Sequence, residues 1–343
     1  MIEPVRHKIR RWRYEFDKLY STGQGHVQGQ PRVLLGERLG SLRPQIIDHP
    51  LVPFRAGISN AGLLKTASGY VAIAKNNTYC FCADHGIETA FGPQYKPPRA
   101  ELLRVDLDDD LRVRALSPLR IVRDGERFEG TTDLREDARL TRIGDDVWCS
   151  VNLVPQGLQW DAVPAVGKLL DGAEELVARS VRTPPLKLPQ KNWMPFSSGG
   201  GFFLQYSINP HVVWRVDPQT LAVVDRYSSW FVSPFFGPRG PFYRGGTPLV
   251  PYDGSLLGAA HSMVLSRGKR DYRTHFYVAD ARPPFKIRWF GRPVKLLRPE
   301  RIQYVCGLVP RGDGFVVSYG MDDCDNVFGA LSAKDISATL VRA

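Results

Sequence analysis

One short unit recurs five times along this chain, and internal recurrence constrains a fold more tightly than length does. Each copy opens on or beside a polar residue, runs through a short apolar strand and a Gly/Asp turn, and continues into a more hydrophobic strand. The copies are Asn60-Ala-Gly-Leu-Leu before Tyr70-Val-Ala-Ile-Ala, Asp137-Ala-Arg-Leu-Thr before Val147-Trp-Cys-Ser-Val, and Asn192-Trp-Met-Pro-Phe before Phe202-Phe-Leu-Gln-Tyr. Two more follow, Gly246-Thr-Pro-Leu-Val before Ser255-Leu-Leu-Gly-Ala-Ala-His261 and Gln303-Tyr-Val-Cys-Gly-Leu before Phe315-Val-Val-Ser-Tyr319. The turn glycines Gly69, Gly144, Gly201, Gly254 and Gly314 are separated by 75, 57, 53 and 60 residues, room in each interval for four strands and their loops. Five such sheets around an axis make an all-β, five-bladed β-propeller, in which radial repetition leaves only short, protected edges. A pair of β-sandwiches, the rival architecture, predicts no matched spacing.

Helical periodicity is confined to two places. A short helix is predicted over 172–179. Near the start, Val5, Ile9, Trp12, Phe16, Leu19 and Tyr20 recur at helical spacing among Arg6, Lys8, Arg10, Arg11, Arg13 and Lys18, the pattern of a basic amphipathic helix. It docks on the body of the protein in the preferred reading; in the other it makes peripheral contact with an anionic membrane surface through residues 1–20. The expected organisation is therefore an N-terminal extension carrying this helix, 1–50, and a propeller, 51–343.

No run of about 18 uncharged apolar residues occurs, and the first 20 residues carry too many charges for a secretory signal. A cytoplasmic protein is expected, at most peripheral at the inner membrane face. The five cysteines lack paired metal-ligand spacing and are expected to be buried, reduced thiols. The formal charge of +11 attracts anionic partners. Nucleic acid is not favoured among them, because the arginines are scattered and no helix-turn-helix or RNP-like pattern accompanies them. No P-loop, G-x-G-x-x-G, Ser-His-Asp or metal-ligand pattern stands out, so neither cofactor nor metal is expected.

In a propeller, residues at one end of the five inner strands converge on a single mouth. The set delivered there comprises Asn60, Asp137, Lys191 with Asn192, Arg244 with Thr247, and Gln303; the second strands end near it in Lys75, Asn152, Ser207, His261 and Asp323. A hydrophobic core would not accept such a set. Asp137 either acts as an acid, or caps a turn or pairs with Arg139. His261 is either part of the site or a satisfied core histidine. Lys191 and Arg244 either bind an anion or pair with Glu136.

These residues resemble the motifs of glycoside hydrolase family 130, β-mannoside phosphorylases and hydrolases, and of the related glycosyltransferase family 108, all five-bladed propellers. From about Ser59 onward, Glu136-Asp137-Ala138-Arg139 is similar to the family's Glu-Asp-Pro-Arg, whose Asp is the general acid. Lys191-Asn192 resembles its Lys/Arg-Asn pair, Gly245-Gly246-Thr247-Pro248 with His261 its Gly-x-Gly-x-Pro-Pro and following His, and Tyr319-Gly320 to Asp323 its Tyr-Gly-Ala-Ala-Asp. Two departures stand out. Ala138 replaces the proline, and Tyr206-Ser207-Ile208 lies where phosphorylases place a phosphate-binding arginine.

The resemblance implies an inverting reaction at a β-mannosidic or similar bond with Asp137 as the acid, Lys191, Arg244 and His261 on an anion-binding side, and Asn60, Lys75, Arg139, Asn192, Thr247, Tyr272, Gln303 and Asp323 around the sugar. With no second carboxylate evident beside Asp137, transfer is favoured over hydrolysis. The implied partners are an oligosaccharide or glycan acceptor and a sugar phosphate or nucleotide sugar donor. Phosphorolysis or hydrolysis, and a non-catalytic glycan-binding propeller, are the alternatives.

Overall fold

The second strand of each unit is apolar on both faces, which a sheet wetted on one side would not tolerate. In Gly69–Asn77, Val71 and Ile73 enter one hydrophobic cluster while Tyr70, Ala72 and Ala74 enter another on the opposite face, as the two-residue period of a strand dictates. A sheet of this kind must lie between two others.

The protein is described by a computed structural model covering residues 45–46, 51–53, 58–77, 80–82, 86–88, 100–123, 126–127, 134–154, 163–183, 192–231, 235, 243–266, 269–296 and 302–343. It contains five radial sheets. The first blade runs outward through Ile58–Thr66, Gly69–Asn77, Ala100–Leu107 and Val113–Arg123. The second uses Leu134–Ile143, Asp146–Val154, Val163–Lys168 and Glu175–Ser180. The third uses Met194–Ser198, Gly201–Ser207, His211–Val216 and Val223–Ser229. In the fourth, the inner edge is split into Tyr243–Gly245 and Val250–Tyr252, both paired with Ser255–Ser266, beyond which lie Lys269–Ala279 and Ile287–Gly291.

The fifth blade is completed from the other end of the chain. Gln303–Arg311, Gly314–Met321 and Asp325–Ser332 take Leu51–Pro53 as their outermost strand. Five hydrophobic clusters fill the five gaps between neighbouring blades. The cluster joining Val309, Val316 and Phe328 of the last blade to Leu63, Tyr70 and Val105 of the first closes the ring.

Three findings adjust the sequence-based expectations. Residues 175–180 form a strand rather than part of a helix: Leu176 and Ala178 are buried alternately, and 175–178 pair in parallel with 120–123, joining the outer edges of the first two blades. Gln45–Ile46, expected in the extension, pairs with Val294–Lys295 beside the fourth blade. Cys149 and Cys306 are the expected buried thiols, pushed up to about 12 by burial, whereas Cys324 is disulfide-bonded. The basic helix expected over 1–20 lies outside the described residues. Among those residues no helix is long and apolar enough to cross a membrane.

Candidate active site

The polar residue that opens an inner strand has a backbone reason to be Asn or Asp. Asn60, Asp137 and Asn192 all adopt the left-handed conformation, with φ of 54, 55 and 67°, and among non-glycine residues Asn and Asp tolerate it best. In the first two blades the same device sits at the same place. Pairing slips between Ser59 and Gly62 and again between Glu136 and Arg139, and such a bulge re-aims the side chains it carries.

The two re-aimed side chains meet. Asn60 Nδ2 donates to Asp137 Oδ1 at 3.2 Å and to Asp323 Oδ1 at 2.8 Å. Asp323, itself left-handed at φ 54°, also accepts from Lys75 Nζ at 3.2 Å, and Lys75 lies 3.8 Å from Glu136. Asn77 fixes the backbone here, donating to the Asp323 carbonyl at 2.5 Å. The first, second and fifth blades thus present three carboxylates, Glu136, Asp137 and Asp323, around one amide and one buried ammonium group. The approach is close enough that a Cβ at Gly320 would lie 1.9 Å from Asn60 Oδ1.

Behind Asp137 the scaffold is locked by Arg139. This side chain is fully buried and donates to the carbonyls of Gly246 at 2.5 Å and Ala138 at 2.8 Å, and to the hydroxyl of Tyr304. Burial alone would lower its pKa, but Tyr304, Cys306 and Asp137 hold the guanidinium above its ordinary range. Burial likewise drives the Tyr304 hydroxyl well above the usual phenol range. The His261 ring meets Tyr304 and Tyr272 in T-shaped contacts, with ring centroids 4.8 and 5.6 Å apart. Blades two, four and five are therefore joined through one buried cation.

Several residues expected to touch sugar also bond to other parts of the protein. All three bonding nitrogens of Arg139 serve the scaffold. The Gln303 amide accepts from Leu296 N at 2.8 Å and donates to Leu296 O at 3.3 Å. Thr247 Oγ1 accepts from Ala259 N at 2.9 Å, and Asn192 is clasped by Asn152 at 3.0 and 3.2 Å. On the expected anion side, Arg244 is exposed and pairs in register with His261, and Lys191 lies outside the described residues. Ser207 donates to Pro210 O at 2.6 Å. Tyr304 and Asn77 were not singled out from sequence. Tyr304 could have been, since it stands one residue after Gln303 at an inner-strand start.

A five-bladed propeller with a carboxylate cluster at its axial mouth is the class that fold and site define. No family model and no curated protein sequence matches the chain. Solved structures share the fold. A β-1,2-mannobiose phosphorylase from Listeria innocua, in complex with β-1,2-mannobiose, is 13% identical with a TM-score of 0.57, over 84% of this chain and 92% of its own. A glycoside hydrolase family 130 structure, from work on hydrolases that target β-1,2-mannosidic linkages in Candida mannan, is 11% identical with a TM-score of 0.56, over 83% and 86%. A mannose phosphorylase from Leishmania mexicana in complex with phosphate ion is 10% identical with a TM-score of 0.53, over 91% and 98%. The chain has the fold of these glycoside hydrolase family 130-like propellers.

Proposed function

We propose that this protein is a carbohydrate-active enzyme that makes or breaks a β-mannosidic or similar bond by an inverting route, with transfer from a sugar phosphate or nucleotide sugar as the favoured reaction. One observation carries the reading: Asp137 is held by a left-handed bulge at the axial mouth with its Oδ1 on Asn60, in a fold shared with mannoside phosphorylases. In the cleaving direction Asp137 gives its proton to the bridging oxygen, directly or through a sugar hydroxyl, as the bond from that oxygen to the sugar C1 breaks. The acceptor oxygen attacks C1 from the opposite face. In the forming direction Asp137 takes up the proton that the acceptor hydroxyl loses.

The other carboxylates argue against hydrolysis. An inverting hydrolase spaces its two carboxyl groups by about 6.5–9.5 Å to admit a water. One amide nitrogen reaching Asp137 Oδ1 at 3.2 Å and Asp323 Oδ1 at 2.8 Å brings those two oxygens within that span, and the single Lys75 ammonium is shared by Asp323 and Glu136. Phosphorolysis is the second reading, favoured by the phosphorylases among the structural neighbours; His261 and Arg244 would then face the phosphate.

The test is a screen of the purified protein with sugar 1-phosphates and nucleotide sugars against mannoside acceptors, following phosphate and nucleotide release. Phosphate-dependent release of a sugar 1-phosphate selects the phosphorylase reading. Asp137→Asn is expected to lower turnover about 10²–10⁴-fold, the usual worth of a general acid, with the fold retained. Activity within tenfold of the unmodified protein would rule out Asp137 as the acid. Sugar binding without turnover in either protein would indicate a glycan-binding propeller.

A further inference from the structure

We propose that the outer edge of the fourth blade carries a second binding site, which takes one acidic sugar unit. The edge strand Ile287–Gly291 is bulged: Val278 pairs with Trp289 and Ala279 with Ile287, so Arg288 is the extra residue. A bulge turns neighbours that would face opposite ways toward the same side. Here it leaves both Arg288 and Trp289 exposed, Trp289 at 45%. Leu340–Arg342 then adds to this edge and sets Arg342 directly opposite Trp289. Lys286, Arg288, Trp289, Arg342 and Ala343 line a cavity of about 260 Å³.

The chemistry of the lining selects the ligand class. Arg288 is clamped by Asp280, with Nε and a terminal nitrogen at 2.8–3.1 Å, so it shapes the wall. Lys286 and Arg342 form no ion pair among the described residues. With Arg288 balanced by Asp280, Lys286 and Arg342 leave the cavity net positive. An exposed indole beside uncommitted cations offers a flat apolar face to a ring and charge to its substituent. The cavity is smaller than the roughly 300–1,000 Å³ of sites for drug-sized molecules, which suits a single hexuronate or a phosphorylated sugar held from an open edge. The choice of a sugar over another small anion rests on the carbohydrate-active reading above; the site itself does not, because it lies on the outer strand, away from Asp137.

The full-length protein, labelled with ¹⁵N at indole nitrogen, is titrated with trigalacturonate and with mannotriose, and Trp289 is assigned by its loss in Trp289→Phe. Trigalacturonate is expected to shift the Trp289 signal, less so at high salt. Its affinity is expected to fall about tenfold or more in Trp289→Ala and in the Lys286→Gln/Arg342→Gln double variant, with turnover unchanged in both. An unmoved signal overturns the site, and an equal response to mannotriose overturns its acidic specificity. Self-association that Trp289→Ala abolishes would make the edge an interface between copies and likewise overturn the proposal. Because the readout is binding, absent turnover with trigalacturonate still bound would count against the enzymatic reading alone.

Discussion

At Asn60 one residue answers two demands, a backbone turned to φ 54° and an amide that reaches both Asp137 and Asp323. Two substitutions separate them. Asn60→Gly keeps the conformation and removes the amide, so turnover is expected to fall, with a loss of stability confined to the two hydrogen bonds removed. Asn60→Ala adds the left-handed penalty of about 1–2 kcal/mol, and an equal midpoint for the two variants would refute the strain. Arg139→Leu tests the scaffold: the carbonyls of Gly246 and Ala138 and the Tyr304 hydroxyl would lose their buried donor, at a cost of about 3–5 kcal/mol by denaturant titration. A loss under 1 kcal/mol would mean that the lock is not structural. The place of Asp137 at the start of an inner strand was legible in the sequence because it opens a repeat. The internal bonds of Arg139, Gln303 and Thr247 were not, because each is made to backbone atoms of another segment, and no local pattern names that partner.

At the scale of the element, a blade buried on both faces must satisfy the polar groups it keeps inside. His211 accepts from the Gln205 amide at 2.6 Å, since the Gln205 carbonyl already accepts from Tyr277 at 2.7 Å. His275 donates from Nδ1 to Gly291 O at 3.0 Å and accepts from Ser262 at 2.8 Å. Both arrangements need a neutral ring, and burial lowers each pKa from 6.5 to about 4. Folded-state values below the unfolded one stabilise the protein fully above pH 6.5, and that contribution is lost as pH falls toward 4. From pH 7 to pH 5 the pair is expected to cost about 4 kcal/mol, read from urea midpoints, and His275→Gln should remove about half of the slope. A slope unchanged in that variant would exclude the assignment. The inner and second strands were legible as elements because their apolar runs are bounded by turn glycines. The strand at 175–180 was not: its alternation is too short to decide, and pairing with 120–123 settles its conformation.

At the scale of the molecule, the five gaps are filled alike but closed differently, four by chain continuity and one by a borrowed strand. Residues 51–53 form three register pairs with 327–329. Starting the chain at residue 54, which also removes the two pairs of 45–46 with 294–295, is expected to cost about 3–5 kcal/mol, at about 1 kcal/mol for each backbone hydrogen bond lost. Amide exchange of Asp325–Ser332 should accelerate selectively, and unchanged protection would show that closure does not depend on this strand. The ring as a whole was legible from the fivefold recurrence. The borrowed strand was not, since Leu51-Val52-Pro53 carries no signal of its partner.

That borrowed strand also sets the order of events during synthesis. The ribosome delivers residues 51–53 long before residues 325–332, a wait of roughly 15–50 s at about 5–20 residues per second. Until then the first blade has no neighbour on one side, and the apolar face of Tyr70, Ala72 and Val105 stays uncovered. The nascent protein is an open fan whose last blade to be made is the one that shuts it.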